Sequence, residues 1–438
     1  MILALSMMTM TMAGSTVTVH AEDRGEPTLT VDGVGYDDAT IEISWLVQDG
    51  FDSTKVGIAE YEKEKAIEFV KKHPEVRITM ASIGSQYNDA MAKLMTQVAT
   101  GTAPDLAVID SFYLPLYYDY LQPIDDVLEE NNITLDSWFP FAQKVIKPED
   151  NILAMWYETD VRALYYRKDL IETPPTSWDE LFEVMEPLKD QGYSFLYPAG
   201  KNETTSCDIL PWFWSQGGEI LDEEGKPIFN DGENREAMLE TFNFLKKTID
   251  TGITPQRVTS YTHDNTMLED IASGNVAMFI GGSWLAGMLS EIIGEDAFKE
   301  MYGITDIPCL SADSSSTCCG GWTFGIFTQD EVKRKLAAQF VIDVFVADEA
   351  NAEFEMISSK LPCRETVYEA SDAFSEDSNM VAFRQIFRNG HVRPAKPLYT
   401  FFSNEFQVAL ADVINENKTP EQALDDMAAA VYAEYEKQ

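Results

Sequence analysis

TGTAPDLAVID, residues 100–110, carries a helix stop, a turn and a buried strand in succession. Gly101 lets the preceding helix end, Pro104 prevents its continuation, and DLAVID (105–110) is an apolar run of the length a fully buried strand needs. Upstream, NDAMAKLMTQVAT (88–100) has apolar residues at helical spacing, VRITM (76–80) reads as a strand, residues 56–72 as a second amphipathic helix and TIEISWLV (40–47) as another strand. Strands separated by single helices form βαβ units, whose connection places the strands parallel in one sheet. The region 40–110 therefore predicts an α/β fold.

After residue 160 helices dominate. Ser177-Trp178-Asp179-Glu180 and Thr419-Pro420-Glu421-Gln422 predict capping boxes, the second with Pro at the first helical position, and residues 234–250 predict a helix that Gly252 closes. No internal repeat or low-complexity linker divides the 438 residues. Two lobes of interleaved segments fit this better than tandem domains.

The chain has 74 acidic and 32 basic residues, a formal charge of −42. Nucleic acids and anionic membrane surfaces are held through Lys and Arg, so this balance excludes both as partners. Disorder is excluded too: 45% of residues are hydrophobic, with 24 Phe, 18 Tyr and 8 Trp, where disordered acidic chains are poor in both.

Residues 1–21, MILALSMMTMTMAGSTVTVHA, lack Asp, Glu, Lys and Arg and end on Val19-His20-Ala21. They predict a secretory signal peptide with the mature chain starting near Glu22. No basic residue precedes the apolar run, which points to a true start upstream of Met1. MAGS (12–15) resembles a lipobox with Ser15 where the lipid-bearing Cys would stand, so export to the periplasm or outer face of a bacterial cell is expected without a lipid anchor. Export permits disulfides, and five cysteines (Cys207, Cys309, Cys318, Cys319, Cys363) leave at least one thiol over. Cys309 could close a short loop with Cys318 or Cys319; unpaired core thiols are the alternative. With no C-x-x-C pair and with His73, His263 and His391 far apart, no metal is expected.

Signatures of catalysis are scarce: there is no GxSxG, no GxxxxGK[ST], no HExxH and no dinucleotide fingerprint. Among 74 acids, carboxylate pairs are inevitable and identify nothing by themselves. Asp222-Glu223-Glu224-Gly225 and Asn230-Asp231-Gly232 depart from calcium-loop spacing and read as an acidic surface hairpin.

Seven stretches in order carry a resemblance: TGTAPDLAVID (100–110), AMWYETDVRALYYRKDLIETPPTSWDEL (154–181), WSQGGEILDEEGK (214–226), GNVAMFIGGSWL (274–285), GGWTFGIF (320–327), LPCRETVY (361–368) and RPAKPLY (393–399). From about residue 41 to 435 the chain resembles the family 1 extracellular solute-binding proteins, the sugar-capturing subunits of bacterial ABC importers. The resemblance implies a two-lobed periplasmic-binding-protein-like fold of type II, crossed near residues 157–161, 320–325 and 358–362. Lobe I would hold 22–158 plus 324–358 and lobe II 159–323 plus 359–438. It also implies a monomer without cofactor that closes over a di- or oligosaccharide and delivers it to permease subunits in the membrane.

A sugar presents hydroxyls that need directed partners and C–H patches that suit aromatic faces, so its site combines both. Trp284 after Gly281-Gly282-Ser283 and Trp322 after Gly320-Gly321 are the leading aromatics, because glycine lets backbone come close to a ligand. Asp110 and Asp160 stand where related proteins have carboxylates on hydroxyls, and Arg393 resembles a cleft arginine with a planar fork of donors. Trp156, Tyr157, Tyr87 and Tyr399 complete the candidates. Met155-Trp156-Tyr157 departs from the family form with Pro before the aromatic, and the identity of the sugar is not legible. Two other readings stay open: a secreted glycosidase using Asp110 and Asp160, and a polyamine-binding protein of the same fold.

Overall fold

The computed structural model describes residues 25–83, 87–358, 360–374 and 379–437. The expected signal peptide, residues 1–21, lies outside them. The strands are β1 (Thr28–Thr30), β2 (Gly33–Gly35), β3 (Ile41–Val47), β4 (Val76–Ser82), β5 (Leu106–Asp110), β6 (Ala154–Arg167), β7 (Ser194–Leu196), β8 (Val276–Gly282), β9 (Tyr302–Thr305), β10 (Thr317–Ile326), β11 (Leu361–Pro362) and β12 (Gly390–Val392). They hydrogen-bond in the order β1-β2-β4-β3-β5-β10-β6-β8-β7, with β9 and β11 added to β6 and β12 to β10. β3 runs parallel to β4 and β5, connected through the helices Val56–Lys72 and Tyr87–Ala99. The βαβ reading of 40–110 thus matches the observed elements to within about two residues at each boundary.

β6 and β10 are antiparallel and long enough to belong to two cores at once. Residues 154–157 of β6 and Phe324 and Ile326 of β10 pack in a first core with β3, β4 and β5, whereas Val161, Ala163, Leu164, Tyr165, Cys318 and Cys319 pack in a second core with β7 and β8. A third passage leads from the helix Asp348–Ser358, whose Phe354 lies in the first core, to β11, whose Leu361 lies in the second. The cores do not follow the expected lobe boundaries everywhere. Phe139 packs in the second core against Phe387 and Tyr368, and Cys363 packs in the first.

The capping box at Thr419 forms in full, with Gln422 N–H donating to Thr419 Oγ1 and Thr419 N–H to Gln422 Oε1, both at 3.2 Å. At Ser177 only half forms. Ser177 Oγ accepts from Glu180 N–H, but the Glu180 carboxylate turns to Thr176, which offers both its N–H and its hydroxyl at 2.8 Å. The helix expected at 234–250 spans Gly232–Asp250, and Gly252 follows at φ +75°, a left-handed conformation open to glycine. All five cysteines are unpaired and buried, so the Cys309 loop closure is absent. Among the described residues no helix is long and apolar enough to cross a membrane.

One buried acid makes the first lobe sensitive to pH. Glu62, on the helix Val56–Lys72, is 2% exposed, accepts a hydrogen bond from the Gly50 backbone, and is pushed up to about 8 by burial and by Asp49. The folded protein keeps a proton that the unfolded chain releases above about 4.5, so this residue's contribution to stability falls as pH rises from about 4.5 to about 8. Each pKa unit is worth about 1.4 kcal/mol. Glu62→Gln is expected to remove that part of the decline, which is read by comparing melting temperatures of parent and variant at pH 5 and pH 9. An equal decline in both would exclude a proton on Glu62.

Candidate functional site: the interlobe cleft

The register of β5, β10 and β6 assembles the centre of the site. Trp322 of β10 lies opposite Asp110 of β5 on one side and Glu158 of β6 on the other, and Gly320 lies opposite Asp160. Gly321 sits at φ +143°, and a Cβ there would fall 2.1 Å from the Glu158 carbonyl oxygen and 2.7 Å from Trp156 Nε1. Only glycine permits this approach. It allows the Gly321 carbonyl to accept from Ser111 N–H at 2.9 Å, directly after Asp110.

These elements open into a cavity of about 700 Å³ between the two cores. Asp110, Asp160, Trp284, Trp322 and Arg393 all line it. Asp160 accepts from Arg162 Nη1 at 2.6 Å, and Arg162 Nε lies 2.5 Å from the fully buried Asp208. Arg393 stands 3.6 Å from Asp110 and 3.1 Å from Glu203, with its guanidinium over the Phe112 ring at 4.7 Å. Burial pushes the Asp110 carboxyl up, while Arg393 and the Phe112 N–H pull it down. Both arginines remain charged because carboxylates surround them.

Trp284 is fixed from several directions. Its Nε1 donates to Asn265 Oδ1 at 2.9 Å, Arg162 and Lys360 lie over the ring at 4.6 and 5.1 Å, and a Cβ on Gly282 would meet the indole at 2.4 Å. The glycine before Ser283-Trp284 therefore provides the space the indole occupies. Gly282 N–H is itself anchored on Asp264 Oδ2 at 2.8 Å.

The remaining candidates lie elsewhere. Trp156 and Tyr157 occupy the part of β6 that is buried on both faces: Trp156 donates to the Glu158 carbonyl at 2.9 Å, and Tyr157 stacks on Phe324 at 4.7 Å. Neither lines the cavity. Tyr399 is fully buried beneath the site, where its hydroxyl donates to Glu203 Oε1 at 2.8 Å. Tyr87 begins the helix Tyr87–Ala99, and its side chain is outside the described residues.

Sequence reading missed Arg162, Glu203 and Lys360. Arg162 was recoverable, because it follows Asp160 by two residues in a strand and so shares its face. Glu203 gave no local cue: its partners Arg393, Tyr399 and Ser403 are some two hundred residues away in sequence. Acids and bases in the lining balance, with Asp110, Asp160, Glu203 and Glu291 against Lys55, Arg162, Lys360 and Arg393.

A family model described as bacterial extracellular solute-binding protein matches residues 64–382. The chain belongs to that family. A binding protein of Brucella abortus is 25% identical over 395 residues, spanning 86% of this chain and 90% of the relative. The maltotriose-binding protein of Pyrococcus abyssi is 22% identical over 362 residues, 81% of this chain and 74% of that one. Among solved structures, maltose-bound MalE3 of T. maritima aligns with a TM-score of 0.72 at 22% identity, over 89% of this chain and 99% of that chain. The fold is thus the two-lobed α/β fold of such proteins.

In this solute-binding protein the third passage between lobes is tied to the cavity lining. Lys360 Nζ lies 3.5 Å from Glu158 Oε1 and also over Trp284. Glu355, buried beside them, receives hydrogen bonds from Asn351 and Ser358 at 3.2 Å each. Burial pushes both Glu158 and Glu355 above the ordinary carboxylate range, and Lys360 opposes the effect.

The two neighbouring glycines separate backbone demand from space. Gly321→Ala is expected to cost about 2 kcal/mol or more in urea unfolding, because the new methyl meets backbone in a strained conformation. Gly320→Ala, whose Cβ would lie 3.5 Å from the Asp160 carboxylate, should cost far less. Equal costs would contradict the close crossing of β10 over β6.

Proposed function

We propose that this protein is an exported carrier that captures a neutral di- or oligosaccharide in the cleft, closes its lobes over it and hands it unaltered to the permease of an ABC transporter. The observation that carries the reading is the cleft lining: two half-buried tryptophans beside two arginine–carboxylate pairs, with no net charge in a chain of −42. Indole faces suit the C–H patches of a pyranose, and ionised carboxylates accept from adjacent hydroxyls while guanidinium groups donate to sugar oxygens. The family membership and a relative named as a maltotriose-binding protein support the same ligand class.

Against the polyamine alternative stand the four cations of the lining, which would repel a polycation. Against glycoside hydrolysis stands the engagement of both carboxylates. Asp160 is held by Arg162 at 2.6 Å, and Asp110 faces Arg393 at 3.6 Å, so each is arranged to hold a hydroxyl rather than to exchange a proton with a glycosidic oxygen.

Trp284→Ala and Trp322→Ala are each expected to weaken sugar binding at least about tenfold, roughly 1.4 kcal/mol, in calorimetry. Parental affinity in both variants would remove them from the site. A thermal-shift panel of sugars and polyamines tests the function, since a ligand that prefers the folded state raises the melting temperature. A di- or oligosaccharide should give the shift and be recovered intact. A shift with polyamines only, or release of reducing ends, would overturn the reading.

A further inference from the structure

Two of the five thiols lie in the cleft itself. Cys207, on the helix Glu203–Trp214, and Cys318, near the start of β10, both line the cavity although they are only 4% and 1% exposed. Their side chains hydrogen-bond to each other. Arg162 and Arg393 both act on the pair, favouring negative charge on sulfur. The Cys207 thiol is lowered, first by its hydrogen bond to Cys318 and then by the guanidinium groups. Cys318 is pushed the other way by that same hydrogen bond and by burial, and Cys309, Cys319 and Cys363 by burial, Cys309 to about 11. Nucleophilic reactivity follows the thiolate, so Cys207 is the attacking thiol, and Cys318 is the thiol that faces it in the same cavity.

We propose that Cys207 and Cys318 form a redox-active pair in the cleft floor, converted to a disulfide by exchange with a small-molecule disulfide. The Cys207 thiolate attacks one sulfur of the reagent, forming a mixed disulfide and expelling one reagent thiolate. Cys318 then loses its proton and attacks Cys207 Sγ, expelling the second reagent thiol. One disulfide is reduced and one is formed, with no other oxidant. The bond ties the helix that presents Glu203 to the strand that presents Gly320, Gly321 and Trp322. Because Glu203 holds Arg393, Tyr399 and Ser403, the cross-link clamps the donor network under the ligand.

The test uses the whole protein and oxidised glutathione, with no sugar present, so its outcome is independent of the ligand assignment. The intact mass should fall by two hydrogen atoms, and peptide mapping should recover Cys207 joined to Cys318. The oxidised form should melt at a higher temperature than the reduced form, and amide exchange around residues 203–207 should slow. In Cys318→Ser the reaction should stop at glutathione bound to Cys207, which keeps the test decisive if Cys207→Ser does not fold. Five titratable thiols after treatment, a stable glutathione adduct in the parent, or a bond through Cys309, Cys319 or Cys363 would overturn the proposal.

Discussion

The antiparallel pairing of β6 with β10 governs the rest of the molecule. Each strand leaves one hydrophobic core and enters the other, and at the changeover Asp160 and Trp322 stay half-buried between them. The register puts Asp160, Gly320 and Trp322 at that point and aligns Asp110 of β5 with Trp322. A one-residue slip would turn every one of these side chains to the opposite face, so the pairing is fixed by the same apolar contacts that build the two cores. Gly321 is the local condition for this, since the strands approach too closely for any side chain there.

Charge follows from the same arrangement. Arg162 is buried between Asp160 and Asp208, and Arg393 is half-buried between Asp110 and Glu203. Buried ion pairs often add little to stability, because desolvation offsets their attraction. Their effect here is orientation: carboxylate acceptors and guanidinium donors are held in place before a ligand arrives, which reduces the ordering cost of binding. The cleft is neutral while the chain carries −42, so the global charge serves solubility, and a neutral ligand feels little long-range steering.

The βαβ region was legible because apolar periodicity and glycine–proline punctuation are local properties, whereas the crossings were expected from the family resemblance alone. The five leading candidates came from motif context, and all five line one cavity. Trp156 and Tyr157 lie off the cavity for a geometric reason: β6 is covered on both faces until Asp160, three or four residues further along than these aromatics. Tyr399 was close in space but one layer too deep, since it acts on Glu203 rather than on the cavity. Glu203 and Lys360 owe their positions to partners from distant segments, and no window of sequence contains such information.

The proposed function rests on closure of the two lobes over a ligand in the cleft between them. Small-angle X-ray scattering of the protein with and without a saturating oligosaccharide measures this directly. The radius of gyration should decrease on binding as the lobes swing together. An unchanged radius at demonstrated saturation would contradict closure.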